Sequence, residues 1–507
     1  MNQSKDTIRF KLDKSKLPTE MSIKNLFSLY TFKNIKPTIV VNGNFIDITL
    51  KGFFILINNG LYDLAIKKYN ENDKDNSLSI LEKLIAQCPI YSDAYSLIAQ
   101  IYNEKGNKEK AFDNTISALK WNHYNSKALL LMGTLLQNEG KEEAAESYYR
   151  ELLVFDSKNI TALNNLGQLL MKQNRFDEAE HCFKEIAEID SNNFLAYYGL
   201  TYCSMQKEEY LKAFNNALFG LKYCKYQPKD FNYVKYLSDT ILDAANYCRE
   251  KQTVDDIMRA QVGIEYTSKC AIYLHETHDM NTGYLSPLDE NNDGIFHISY
   301  NPNDAHFVYN TVMCMIGAGE HWWNKKNSRP YTISANEEHF RYFVDDYYSE
   351  LSNDIRSKTP EKLNLYFKDL HNSLITQYIQ AINELIVLKC YYMTERDIIP
   401  QMYLFNLMKI EDEMTANDIE LKKDIPKSIL KLKSAMVNLR FLFMKYHFNY
   451  VTINSHETLE YGMEEAESAF NVFQELTSEA IFLGKKPCLK KCAEALGINR
   501  YFNIEDD

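Results

Sequence analysis

Between residues 58 and 225, small and large apolar residues recur at one spacing. Ala111, Ala145, Ala179 and Ala213 lie 34 apart, as do Ala99, Gly133, Gly167 and Thr201. Ile98, Met132, Leu166 and Leu200 form a third column, and Tyr95, Leu129, Leu163 and Tyr197 a fourth. Two antiparallel helices approach closely only where small side chains meet, so each period reads as a helical hairpin. One hairpin cannot bury its own apolar face, and neighbours must stack. Gly106, Gly140 and Asn174 stand between the two helices of their hairpins, where a left-handed residue ends a helix. A poorer unit starts near Asn58, with Leu61, Leu64 and Ala65 in register and Pro89 at its close; Ser77 replaces the expected alanine. The pattern predicts five hairpins over 58–225.

Outside this stretch the periodicity changes. In residues 1–57, Thr38 to Ile48 alternates around Asn42-Gly43, the pattern of a β-hairpin. Thr7 to Leu12 suits a further strand, and a small sheet here would cap the first hairpin. In 226–278, Phe231 to Arg249 and Val254 to His278 keep helical spacing and read as diverged or capping helices. Residues 279–303 are rich in Asn, Asp, Gly, Pro and Tyr and read as a long loop. From 304 to 507 apolar residues return at helical spacing, as in Leu374, Tyr378, Ala381, Ile382 and Leu385. The expected helices are Ala305 to Trp323, Asn336 to Leu351, Pro360 to Tyr392, Ile398 to Met414, Ile425 to His447, Glu457 to Phe482 and a short Pro487 to Leu496. They form a C-terminal helical bundle ending in a solvated acidic tail, Glu505-Asp506-Asp507.

Ala162-Leu163-Asn164-Asn165-Leu166-Gly167-Gln168-Leu169-Leu170, followed by Phe176-Asp177-Glu178-Ala179, resembles the tetratricopeptide repeat family. The resemblance covers about a third of the chain. It implies a right-handed α-α superhelix whose first helices line a concave groove, and a protein or peptide partner held there. The groove positions so implied are Ser96, Gln100, Asn103, Lys127, Thr134, Gln137, Asn164, Gln168, Lys172, Tyr198 and Tyr202. They are mainly amide, hydroxyl and aromatic, suited to pairing with a backbone and to rigid contact. The family's clamp for a C-terminal carboxylate does not carry over, because Leu130 and Thr134 stand where it needs Lys and Asn. Its asparagine ladder is present only at Asn165.

Proline (11) and glycine (17) are scarce in the 507 residues, which agrees with a mainly α chain. The net charge of −12, with no basic block, argues against nucleic acid or an anionic membrane as partner. No apolar signal core opens the sequence, and Gly52 to Ile57 is too short to span a bilayer. The expectation is a cytoplasmic protein whose ten scattered cysteines are core residues rather than disulfides.

Chemistry has one focus. Six of the eleven histidines lie between 275 and 339. His275 and His278, three apart, would share a helix face. With His306, Glu320 and His321 they form a candidate site for a divalent metal, which could activate water. The spacing is not that of HExxH, and no second helix repeats the pair. Asp289 to Gly294 resembles the start of a calcium loop, but Tyr300 stands where the bidentate Glu is needed. Cys314 lies in an apolar run and reads as core, and Gly317-Ala318-Gly319 lacks the context of a phosphate loop.

The sequence thus points to an interaction or adaptor protein with no required cofactor. Its alternatives are an enzyme using the 275–339 segment, with the array recruiting substrate, and a regulator gated by a peptide in the groove.

Overall fold

The computed structural model describes residues 7–16, 23–31, 35–51, 60–224, 231–278, 284–285, 293–327, 331–394, 397, 399–416, 424–448, 461–475 and 485–506. The chain divides into two compact units, Met1–Lys207 and Glu208–Asp507.

Unit 1 opens with β1 (Thr7–Asp13), α1 (Ile23–Tyr30), β2 (Thr38–Asn42) and β3 (Phe45–Lys51). The strands form one antiparallel sheet in the order β1-β3-β2, with Ile39 opposite Ile48 and Ile8 opposite Leu50. Gly43 makes the tight turn between β2 and β3 at φ +56°. Ile46, Ile48 and Leu50 alternate onto the buried face of β3. They share one core with Tyr30 and with Ala65, Leu81 and Leu84 of the first hairpin, so the sheet caps that hairpin as its alternation implied.

The hairpins are α2 (Leu61–Asn70) with α3 (Lys74–Gln87), α4 (Ser92–Glu104) with α5 (Lys108–Trp121), α6 (Ser126–Asn138) with α7 (Glu142–Phe155), and α8 (Ile160–Lys172) with α9 (Phe176–Ile189). A further first helix, α10 (Phe194–Gln206), follows. Gly106, Gly140 and Asn174 have φ of +78°, +76° and +60°, the left-handed turns their places in the period require. Asn125, Asn159 and Asn193, again 34 apart, cap α6, α8 and α10 by accepting from backbone N–H groups. The irregular first unit is also resolved: buried Ser77 donates its hydroxyl to the carbonyl of Ala65 at 2.8 Å, so its extra polar atom is satisfied.

The recurring small column has a sharp steric reason. A Cβ on Gly133 would lie 2.5 Å from the Tyr149 ring, and one on Gly167 would lie 2.8 Å from Phe183. Phe183 is also covered from α10, where a Cβ on Gly199 would lie 2.6 Å away.

Unit 2 begins with α11 (Tyr210–Tyr223), packed on α12 (Phe231–Glu250), then α13 (Val254–Ser268). The expected helix up to His278 stops early. Lys269 takes a left-handed conformation at φ +56°, and the chain turns into β4 (Ala271–Glu276). The expected long loop also contains structure: β5 (Tyr284–Leu285) and β6 (Ile295–Tyr300). The sheet order is β4-β6-β5, with β4 and β6 parallel. Ile272, Phe296 and Ile298 are buried, so these short apolar runs pair as strands over a core.

The helical bundle comprises α14 (Phe307–Asn327), α15 (Glu337–Tyr347), α16 (Asn353–Arg356), α17 (Pro360–Thr394), α18 (Ile399–Ala416), α19 (Lys427–Phe448), α20 (Met463–Glu475) and α21 (Lys485–Ala495). The 35-residue α17 is its spine, touching α14, α15, α19 and α21. At the C-terminus the backbone of the acidic tail is paired, while its Glu505 side chain is exposed. Asn503–Asp506 forms β8, antiparallel to β7 (Tyr331–Ser334). Tyr501 anchors it, donating to Asp346 at 2.7 Å. Asp507 lies outside the described residues.

The glycine contacts give a first prediction. Gly133→Ala and Gly167→Ala should each destabilise unit 1 by about 1–3 kcal/mol through overpacking against a buried ring. This is the opposite sign from the gain of about 1 kcal/mol expected for Gly→Ala in an unhindered helix. Urea unfolding followed by circular dichroism measures the sign.

Candidate functional site

The first helices stand side by side: α4 packs on α6, α6 on α8, and α8 on α10. Of these, α4, α6 and α8 also pack against their own second helices, which leaves part of each uncovered by these contacts. The implied groove positions lie on these first helices and differ in burial and in what they already hold.

On α4, Ser96 is buried and donates to the carbonyl of Asp93 at 2.9 Å. Gln100 donates to the Tyr69 hydroxyl at 2.7 Å and to Glu104 at 3.2 Å. The Tyr69 hydroxyl in turn donates to Glu104, and Lys74 pairs with the same carboxylate at 3.0 Å. Burial pushes the Glu104 carboxyl up, but these hydrogen bonds outweigh it and the net shift is downward. On α6, Thr134 donates to the carbonyl of Leu130 at 2.9 Å, and Gln137 accepts from Tyr149 at 2.9 Å. Lys172 pairs with Glu142 of α7 at 2.5 Å. These side chains serve the fold first.

Four positions are freer. Lys127 is exposed at the start of α6. Asn103, Asn164 and Gln168 have no side-chain hydrogen-bond partner among the described residues; Gln168 is exposed and the other two half-buried. Asn164 and Gln168 lie one helical turn apart, on one strip of α8. Beside them α10 carries half-buried Tyr198 and Tyr202, the latter 6.3 Å from the Phe176 ring. Sequence reasoning missed Tyr69, although it lies one period before Asn103 and would have been found by carrying that column back one unit.

The histidine-rich segment does not assemble as its spacing suggested. His275 lies on strand β4, which ends at Glu276, so it shares no helix face with His278. Its Nε2 meets Nδ1 of His297 on β6 at 2.8 Å. The ring centroids are 5.1 Å apart with planes 22° apart, so the nitrogens face nearly head-on. That is a shared hydrogen bond, with no room for an ion that needs about 2.0–2.1 Å to each nitrogen. His278 lies 3.6 Å from Glu276 and 3.5 Å from the Asn303 amide. His306 packs on the Phe405 ring. Glu320 is 3% exposed and ion-paired with Lys485 at 3.1 Å. His321 is pushed below the ordinary histidine range by desolvation and by Lys485 and Lys325, surroundings that repel a cation. Among the described residues no three His, Cys, Asp or Glu side chains converge as a metal requires.

The calcium-like run lies outside the described residues from Asp289 to Asn292; Gly294 opens β6 against the Trp322 ring. Cys314 is half-buried, and burial raises its thiol to about 11. No helix among the described residues is long and apolar enough to cross a membrane.

Comparison with known proteins meets this geometry at the array. Residues 126–159 and 160–193 each match the tetratricopeptide repeat. No curated protein matches the chain. Among solved structures, similarity extends to YrrB, a tetratricopeptide protein with an unusual peptide-binding site, at 20% identity over 35% of this chain and 89% of that one (TM-score 0.30). It also extends to PilW, a type IV pilus biogenesis factor, at 17% identity over 38% and 92% (TM-score 0.33). Pseudomonas aeruginosa pilF is similar at 14% identity over 38% and 90% (TM-score 0.33).

The histidine whose surroundings are most perturbed lies elsewhere. His447 on α19 is packed among Tyr392, Phe443 and Tyr446, and its Nε2 has no hydrogen-bond partner among the described residues. Burial, helped by Lys389, lowers its pKa to about 4. The folded protein therefore keeps the ring neutral, while the unfolded chain takes up a proton below about pH 6.5. The resulting stability is complete above that pH and is lost as pH falls toward 4. Between pH 7 and 5 this histidine should remove about 2 kcal/mol of stability. His447→Phe should flatten that part of the profile, measured as urea midpoints at the two pH values.

Proposed function

Because residues 126–193 are tetratricopeptide repeats, we propose that unit 1 holds an extended segment of a partner protein along α6, α8 and α10. The chain would thereby work as an interaction protein. The observation that carries this reading is the pair Asn164 and Gln168, side by side on α8 and uncommitted within the fold. A carboxamide offers both a donor and an acceptor, as a peptide group does. A helix has already satisfied its own backbone, whereas an extended segment has not. Uncommitted amides therefore suit an extended ligand. Tyr198 and Tyr202 add rigid contact area beside them, and exposed Lys127 adds a charge at the α6 end.

The committed side chains sharpen the test. Random peptides selected against the intact protein should bind through α8, so Asn164→Ala with Gln168→Ala should weaken them about tenfold or more. Gln100→Ala should have a smaller effect, since Gln100 is held by Tyr69 and Glu104. Fluorescence anisotropy with labelled peptides gives both numbers. Equal binding by the double variant and the wild type would refute the assignment.

A further inference from the structure

Helix α13 is apolar on two sides. Its core side carries Ile257, Ala260 and Ile264, all buried. This side packs on α14, where a Cβ on Gly319 would lie 3.1 Å from the Ile264 side chain. On the other side Met258, Val262 and Tyr266 follow one another at four-residue spacing and are 50%, 68% and 76% exposed. Residues four apart are neighbours on a helix, so the three make one continuous ridge. An exposed apolar residue standing alone is ordinary, but a surface helix normally turns a polar face to water.

The charges along this ridge decide what fits it. Seven residues make two helical turns to within about 20°. Asp255, Val262 and Lys269 therefore lie on one line, with the valine midway between an acid and a base. Both charged residues are exposed. Lys269 Nζ lies 4.1 Å from the centre of the Tyr266 ring, which keeps the cation beside the ridge. Glu265, which also borders the ridge, is half-buried and is held by its own unit, accepting from the Ile272 backbone N–H at 2.6 Å.

This line is complementary to itself when reversed. In an antiparallel pair of α13 helices with a twofold axis beside Val262, valine meets valine and Asp255 meets the second copy's Lys269 at both ends. Exposed Arg259 comes beside the second copy's Tyr266, a guanidinium against a ring. A parallel pair would set Asp255 against Asp255 and Lys269 against Lys269. The charges thus favour one orientation and oppose the other.

We propose that α13 is a self-association face, on which two copies of the chain pair through the Met258, Val262 and Tyr266 ridges of antiparallel helices, Asp255 of each against Lys269 of the other. Three large side chains per copy make a small interface, so the dimer is weak, with Kd on the order of 10 µM.

Sedimentation velocity of the full chain, in low salt and from about 1 to about 200 µM, tests this. The wild type should pass from monomer to dimer over that range. Val262→Arg sets two like charges at the twofold axis and should weaken the dimer at least about tenfold. Its circular dichroism spectrum should be unchanged, because the side chain is exposed. Asp255→Lys and Lys269→Asp should each weaken the dimer about fivefold or more, since like charges then face each other at both ends. Combining the two restores opposite charges and should return the wild-type affinity. A wild type that stays monomeric at every concentration would overturn the proposal, and this is the result expected if the ridge serves a different protein. A dimer left intact by Val262→Arg, or a double charge reversal no tighter than the single ones, would overturn it as well.

Discussion

The array depends on one steric arrangement: an aromatic ring of a second helix laid on bare backbone of a first helix. Phe183 fills the space that side chains on Gly167 and Gly199 would occupy, so one ring joins its own hairpin to the next helix. Tyr149 does the same over Gly133. The columns trade volume from unit to unit. Where the first helix has glycine at 133 and 167, the second has Tyr149 and Phe183. Where the first helix has the larger Ala99, the equivalent position of its second helix is the smaller Thr115, fully buried. A larger residue on the first helix is thus met by a smaller one on the second, the direction close packing demands.

This packing fixes which strip of each first helix is left outward, and so it fixes the candidate binding face. Recruitment to binding is a further matter. At the α4 end, Tyr69, Gln100, Glu104 and Lys74 form a closed set of partners. At α8 the amides of Asn164 and Gln168 have no such set. The same period thus supplies structural polar groups in one unit and uncommitted ones in another.

The array was legible from the sequence because its contacts are local and repeat, so every column restates the last. The left-handed residues at 106, 140 and 174 were readable for the same reason. What was missed in unit 2 depends on contacts distant in sequence. Ala271 to Glu276 is a short apolar run that suits helix or strand, and only parallel pairing with Ile295–Tyr300 decides it. That the backbone of Asn503–Asp506 pairs as a strand could not be read from its residues, because it depends on β7 and on Tyr501 bonded to Asp346 and Tyr347, with its carbonyl accepting from His371. Of the candidate face, the helices that carry it were legible; which amides the fold already occupies was not, because Tyr69 lies outside the hairpin that carries Gln100.

Histidine density shows the same dependence on contacts distant in sequence. A metal site is a convergence in space, and sequence density is only a proxy for it. His275 and His297 do meet, but head-on across parallel strands, where each nitrogen satisfies the other. Glu320, the buried carboxylate of the set, is turned to Lys485. A satisfied group has little left to offer a ligand, however suggestive its chemistry. The same criterion, applied in reverse, is what separates Asn164 and Gln168 from the many polar side chains of this chain whose hydrogen bonds are already made.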